Sequence, residues 1–244
     1  MDILRKIAVA IWRIWFYLLV LVVILVLSPI LVVSVLRASW YPLFFRTAQL
    51  WARIVMLGMG FIPKVQLDER FKKGQSYMLV SNHASMTDIL LMLHVAKNPF
   101  VFVGKAELGK LPIFGFFYKR TCILVDRGNA RSRKAVFDQA QQKIKLGYGI
   151  CIFPEGGVPG DRSIVLDTFK DGAFRLAIEH QIPVVPMTFF DTKRRFPFVF
   201  TEGSPGKMRV HVHTFMSTKG LEQKDRIRFR ESVREVILKQ LQAL

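Results

Sequence analysis

The sequence predicts an α/β protein, a mostly parallel sheet flanked by helices, preceded by two hydrophobic helices that anchor it to a membrane. Three observations carry that prediction: a charge-free run over residues 14–36, an alternation of short β-rich and helical segments after Pro63, and a composition both basic and apolar. Lys and Arg number 36 against 18 Asp and Glu, a net charge of +18, yet 51% of the residues are hydrophobic. A nucleic-acid binder gains charge by enriching polar surface, whereas a membrane-surface protein needs apolar area together with cations that face anionic lipid. The combination favours a membrane over DNA or RNA. The 2 cysteines, Cys122 and Cys151, show no CxxC and no paired Cys/His spacing, so neither a disulfide framework nor a zinc site is suggested.

At 1.5 Å rise per residue the first run, about 23 residues, makes a helix of roughly 34 Å, enough to cross a hydrocarbon core. It is too long for the roughly 7–15-residue core of a cleaved signal, and Arg37-Ala38-Ser39-Trp40 is a poor cleavage site. A second apolar stretch, 40–62, is interrupted by Pro42, Arg46 and Arg53 and reads as amphipathic rather than spanning. Cations flank the first run on both sides: Arg5, Lys6 and Arg13 before it, Arg37, Arg46 and Arg53 after it. A hairpin or re-entrant anchor over 1–62 keeps them all on the cytoplasmic side, where a single span does not. The α/β domain then occupies 63–244.

Within that domain, 76–81, 100–103, 121–125, 149–153, 183–189 and 208–214 read as strands, and 86–96, 130–146, 169–180 and 222–241 as helices. Alternation of this kind gives a largely parallel sheet with its sites beyond the strand C-termini.

Two segments at such strand ends carry candidate chemistry. The first is Asn82-His83-Ala84-Ser85-Met86-Thr87-Asp88. An imidazole takes a proton near neutral pH, and a carboxylate beside it fixes its tautomer and stabilises the imidazolium. Five residues apart on an ideal helix lie about 140° around the axis, so the pair meets only if His83 is in the loop and Asp88 in the first turn of the next helix. Spacing alone equally allows Asp88 or Thr87 to be a helix cap. The second is Phe153-Pro154-Glu155-Gly156-Gly157, where glycines let backbone amides approach an anion closely, or which simply turns the chain. Arg127, just past another strand, offers a bidentate grip on an anion or an ordinary surface charge. No G-x-S-x-G elbow, P-loop or dinucleotide fingerprint is present, so covalent catalysis and nucleotide chemistry lack support.

Taken in order, the blocks resemble the glycerolipid acyltransferase family. Asn82 to Asp88 is similar to its N-H-x-x-x-x-D box; Gly115-Phe116-Phe117-Tyr118-Lys119-Arg120 with Ile123-Leu124-Val125-Asp126-Arg127 looks like the second block. Phe153-Pro154-Glu155-Gly156 looks like the third, and Ile182-Pro183-Val184-Val185-Pro186 the fourth, with Phe169-Lys170-Asp171-Gly172-Ala173 matching the intervening F-K-x-G-A. The resemblance implies that His83 deprotonates an acceptor hydroxyl, Asp88 orients it, and the hydroxyl attacks an acyl thioester with no acyl-enzyme. It implies coenzyme A or acyl carrier protein as donor carrier, lysophosphatidic acid as acceptor, and no bound cofactor or metal. It sets Asn82, Ser85, Arg127, Glu155 and Gly156 among the substrate-binding residues, and the cytoplasmic face of a bacterial inner membrane as the setting.

One departure matters. The third block commonly continues F-P-E-G-T-R-S, its arginine toward the acceptor phosphate, but here Gly157, Val158 and Pro159 follow. Arg162 reaching back, or Arg127 with Lys170, then supplies the charge, or the acceptor is a phosphate-free lyso-lipid such as lyso-ornithine lipid. A non-catalytic, membrane-tethered binding protein is the reading from another class. Two basic groups, Arg131-Ser132-Arg133-Lys134 and Lys193-Arg194-Arg195 with Phe196 and Phe198, read as solvated faces or docking strips. His211 and His213, alternating on one strand face, read as structural.

Overall fold

A computed structural model describes residues 2–112, 114–126 and 128–243 and divides the chain into two compact units. The first comprises residues 1–66, 83–96 and 189–211, so the unit built on the N-terminal helices extends well past residue 62. The second comprises 67–82, 97–188 and 212–244. Elements are numbered along the chain.

In the first unit, helix α1 (Asp2–Ser34) packs on helix α2 (Tyr41–Gly58). Phe16, Leu19, Val23, Leu27 and Leu31, at intervals of three and four, form the buried stripe of α1, answered on α2 by Phe45, Ala52, Val55 and Met56. The helices meet closely at Gly58, where a Cβ would lie 2.5 Å from Leu19 Cδ2. Trp15 Nε1 donates to the Gly58 carbonyl at 3.0 Å and Trp12 Nε1 to that of Met59 at 3.3 Å, which satisfies the C-terminal end of α2. Outside the stripe, Ile11, Leu18, Val22, Leu25, Val26 and Ile30 remain exposed. Among the described residues, α1 alone is long and apolar enough to cross a membrane; α2 is the amphipathic partner, as its arginines foretell.

Strand β1 (Phe61–Leu67), which neighbours β7 (Gly206–Val212), is not foretold by the sequence, because only Phe61 is buried and Pro63 breaks the pattern. Pro63 is tolerated because β1 has a partner on one side only. Helix α3 (Asp88–Val95) completes this unit against α2, whose Gln49 donates to the carbonyls of Leu93 and Ala96, both at 2.9 Å. The basic, aromatic segment 193–198 spans one turn of helix, α7 (Thr192–Arg195), a buried Phe196 and an exposed Phe198. Its cations are engaged: Arg194 pairs with Asp191, and Arg195 donates to Ser204 Oγ and the Pro205 carbonyl.

The second unit is built on five parallel strands in the order β6 (Val184–Phe189, with its last residue in the first unit), β2 (Met78–Ser81), β5 (Gly149–Ile152), β3 (Phe100–Lys105) and β4 (Ile123–Val125). Leu79 stands opposite Val185 on one side and Cys151 on the other, and Val101 opposite Ile150. The three central strands, β6, β2 and β5, are buried almost throughout because both faces are covered, and that is why their positions follow from the sequence. Helices α5 (Ala130–Lys145), α6 (Gly172–Glu179) and α8 (Arg226–Gln242) flank them, with α5 capped by Asn129, which accepts the amides of Arg131 and Ser132. An unforeseen helix, α4 (Phe114–Thr121), takes up Thr121, so the strand expected at 121–125 starts at Ile123. His213 is buried, with Nε2 2.8 Å from Thr188 Oγ1.

Candidate active site

Strand β2 ends at Ser81, Asn82 is buried, and His83 lies in the loop that follows. A turn through Ala84 to Thr87 then starts α3 at Asp88, the arrangement that the five-residue spacing demands. Asp88 is fully buried, and its Oδ2 accepts from His83 Nδ1 at 2.8 Å, the Ala84 amide at 2.7 Å and the Ser85 amide at 2.8 Å. The two amides are those of the residues that bend the chain between His83 and Asp88. The carboxylate therefore folds its own turn and aims the imidazole with one oxygen, in the first turn of a helix where negative charge is favoured. Its Oδ1 has no hydrogen-bond partner among the described residues. An ionised carboxylate only accepts, so it is matched to an Nδ1 that carries a proton, in a ring 20% exposed. The result is a part-exposed imidazole with a carboxylate sealed behind it.

Ser85, expected to touch substrate, is fully buried instead. Its hydroxyl donates to the Phe196 carbonyl at 2.6 Å and lies 2.9 Å from Thr87 Oγ1, so it secures the turn from beneath. Neither the Ala84 and Ser85 amides nor the Phe196 carbonyl is a residue type, and main-chain groups leave no signature in a sequence.

In the second unit Glu155 and Gly156 follow β5. Gly156 has φ of +84°, a left-handed conformation that favours glycine, and its amide donates back to the Phe153 carbonyl at 3.0 Å. Glu155 is buried; its Oε2 accepts the Asp167 amide at 2.9 Å, while the Pro154 carbonyl accepts the Lys170 amide at 2.8 Å. From α8, Arg234 donates to the carbonyls of Leu166 and Asp167. The structure thus brings Glu155, Gly156 and the backbone of Lys170 together as one braced loop. Lys170 and Arg162 are exposed, and Arg127 lies outside the described residues.

Burial disfavours the thiolate form of both cysteines. Burial pushes the Cys122 thiol up to about 12, against a smaller opposing hydrogen bond from Thr121, and burial likewise raises Cys151.

A family model described as acyltransferase matches residues 62–189, a span that includes His83, Asp88 and Glu155, and the chain belongs to that family. Among curated relatives it is 30% identical over 198 residues to the 1-acyl-sn-glycerol-3-phosphate acyltransferase alpha of Mus musculus, covering 76% of this chain and 67% of that one. It is 29% identical over 163 residues to a probable 1-acyl-sn-glycerol-3-phosphate acyltransferase of Mycoplasma pneumoniae, covering 62% of this chain and 60% of that one. The fold is that of the crystal structure of the 1-acyl-sn-glycerophosphate (LPA) acyltransferase from Thermotoga maritima, with a TM-score of 0.79 at 21% identity over 100% of this chain and 97% of that one.

Proposed function

We propose that the chain is a membrane-bound 1-acylglycerol-3-phosphate O-acyltransferase, which esterifies the free hydroxyl of lysophosphatidic acid to give phosphatidic acid. The observation that carries this reading is the His83–Asp88 pair, closed at 2.8 Å by a turn that the carboxylate itself organises. His83 Nε2 takes the proton of the hydroxyl as its oxygen attacks the thioester carbonyl. The tetrahedral intermediate collapses with loss of the carbon–sulfur bond, and the imidazolium returns the proton to the departing thiolate. One ester and one thiol replace one alcohol and one thioester, with no acyl-enzyme. Coenzyme A and acyl carrier protein are both acidic thioester carriers suited to a chain of net charge +18, which also suits the cytoplasmic face of a bacterial inner membrane. The reaction requires no further cofactor and no metal.

Gly157-Val158-Pro159 in place of an arginine-bearing turn favours a second reading, a phosphate-free lyso-lipid acceptor. Under the first reading Asn82, Glu155 and Gly156 shape the acceptor site, and Arg127, Arg162 and Lys170 are the cations offered to its phosphate. The test is acyl transfer by detergent-solubilised protein, with lysophosphatidic acid and lyso-ornithine lipid offered side by side and His83→Ala as control. Preference for lysophosphatidic acid that vanishes in the variant supports the proposal. Preference for the other lipid selects the second reading, and transfer independent of His83 overturns both.

A further inference from the structure

Of the cations in α1, Arg5 and Lys6 are exposed, but Arg13 is buried, only 3% exposed. Its Nη1 donates to the carbonyls of Val199 at 3.0 Å and Glu202 at 2.8 Å, and its guanidinium lies 4.1 Å from the centre of the Phe196 ring. A buried guanidinium is costly to desolvate, and this one is directed at the main chain of a single loop, 196–202. The neighbouring turns of α1 grip the same residue: Phe16 and Trp12 pack on the Phe196 ring with centroids 4.5 Å and 5.7 Å away. Phe196 is in turn the residue whose carbonyl receives the Ser85 hydroxyl at 2.6 Å, and Ser85 gives its amide to Asp88. An unbroken series of short contacts, all within the first unit, runs from α1 to the catalytic carboxylate.

Resting on the acyltransferase reading, we propose that Arg13 is a positioning residue for acyl transfer. It locks the 196–202 loop, which fixes the Phe196 carbonyl that holds Ser85, and so sets the turn that points Asp88 at His83. The apolar helix thereby belongs to the catalytic machinery as well as to the anchor. If Arg13 only stabilised the helix, its loss would lower the melting temperature and leave the turnover of folded molecules alone. As a positioning residue it affects kcat, because misplacing reacting groups by about 1 Å costs up to about 100-fold while ground-state binding is untouched.

The test uses the full chain in detergent micelles. Arg13→Met keeps the volume and removes both hydrogen bonds; Arg13→Lys keeps a charge and a donor. Arg13→Met is expected to lower kcat by about 10- to 100-fold with KM for acceptor and donor within about threefold, and Arg13→Lys to recover part of the loss. Ser85→Ala should lower kcat similarly, and the double variant should lose no more than the worse single one, since both cut the same series of contacts. Hydrogen exchange reads the same link without any substrate: amides of 83–88 exchange faster in Arg13→Met while those of 149–152 do not change. Unchanged kcat in folded Arg13→Met, additive losses in the double variant, or unchanged exchange at 83–88 would each overturn the proposal. If Arg13→Met does not fold, Arg13→Lys paired with Ser85→Ala is read by the same criteria. Absence of turnover in the unmodified protein would count against the proposed function alone, and the exchange comparison still decides the role of Arg13.

Discussion

The His83 ring is part-buried and gives Nδ1 to an acid that water does not reach. His83→Ala is therefore expected to cut acyl transfer by about 10²–10⁴-fold or more, with folding and membrane binding intact, as measured by initial rates on matched folded protein. Asp88→Asn should be nearly as damaging, because an amide in that position can donate to Nδ1 and leave the lone pair on the wrong nitrogen. The thiols make an opposite prediction. With Cys122 near 12, only about one part in 10⁴ is thiolate at pH 8. N-ethylmaleimide should leave Cys122 and Cys151 unlabelled and activity unchanged in the native protein, and label both after denaturation. Rapid native labelling with loss of activity would contradict the burial described. Asp191, 2% exposed, shows how a carboxylate sets the response to acid. Burial alone would raise its pKa, but hydrogen bonds from Arg209, with charge from Arg209 and Arg194, bring it below the usual 3.8. A depressed pKa stabilises the fold in full above that value and is lost as pH falls through the folded one. Asp191→Asn should thus lower the melting temperature at pH 7, and the gap to the unmodified protein should narrow below pH 3.8.

Elements differ in how plainly the sequence announces them. The central strands are legible because burial on both faces imposes apolar runs such as Tyr77-Met78-Leu79-Val80. β1 is not, since a strand with one partner and one buried side chain has no periodicity to detect. Nor is α4, which opens among glycines and aromatics and is fixed by tertiary packing: a Cβ on Gly115 would lie 2.3 Å from the carbonyl oxygen of Gly109. Gly115→Ala must displace backbone and should cost about 1–3 kcal/mol in a chemical-denaturation experiment. At the site, the spacing of His83 and Asp88 and their resemblance to a known box expose the base and its acid. What fixes their geometry stays hidden, because the Phe196 carbonyl is 111 residues from the Ser85 hydroxyl that it holds. Ser85 itself reads as a substrate contact only until its neighbours are known.

For the whole molecule, attachment to a membrane follows from α1, whose exposed Leu25, Val26 and Ile30 lie on a face that the protein leaves uncovered. Apolar insertion is insensitive to screening, so the protein should stay with anionic vesicles in a flotation assay at about 0.5 M salt, whereas purely ionic attachment would be released. Replacing those three residues with Glu should move it to the soluble fraction. The same helix turns its other side inward, where Trp12, Arg13 and Phe16 cover Phe196. A chain started at Pro63 to gain solubility would strip the cover from that ring and lay bare an apolar wound at the residue whose carbonyl holds Ser85. A water-soluble catalyst is therefore to be sought by repainting the outward face of the first helix, not by amputating it.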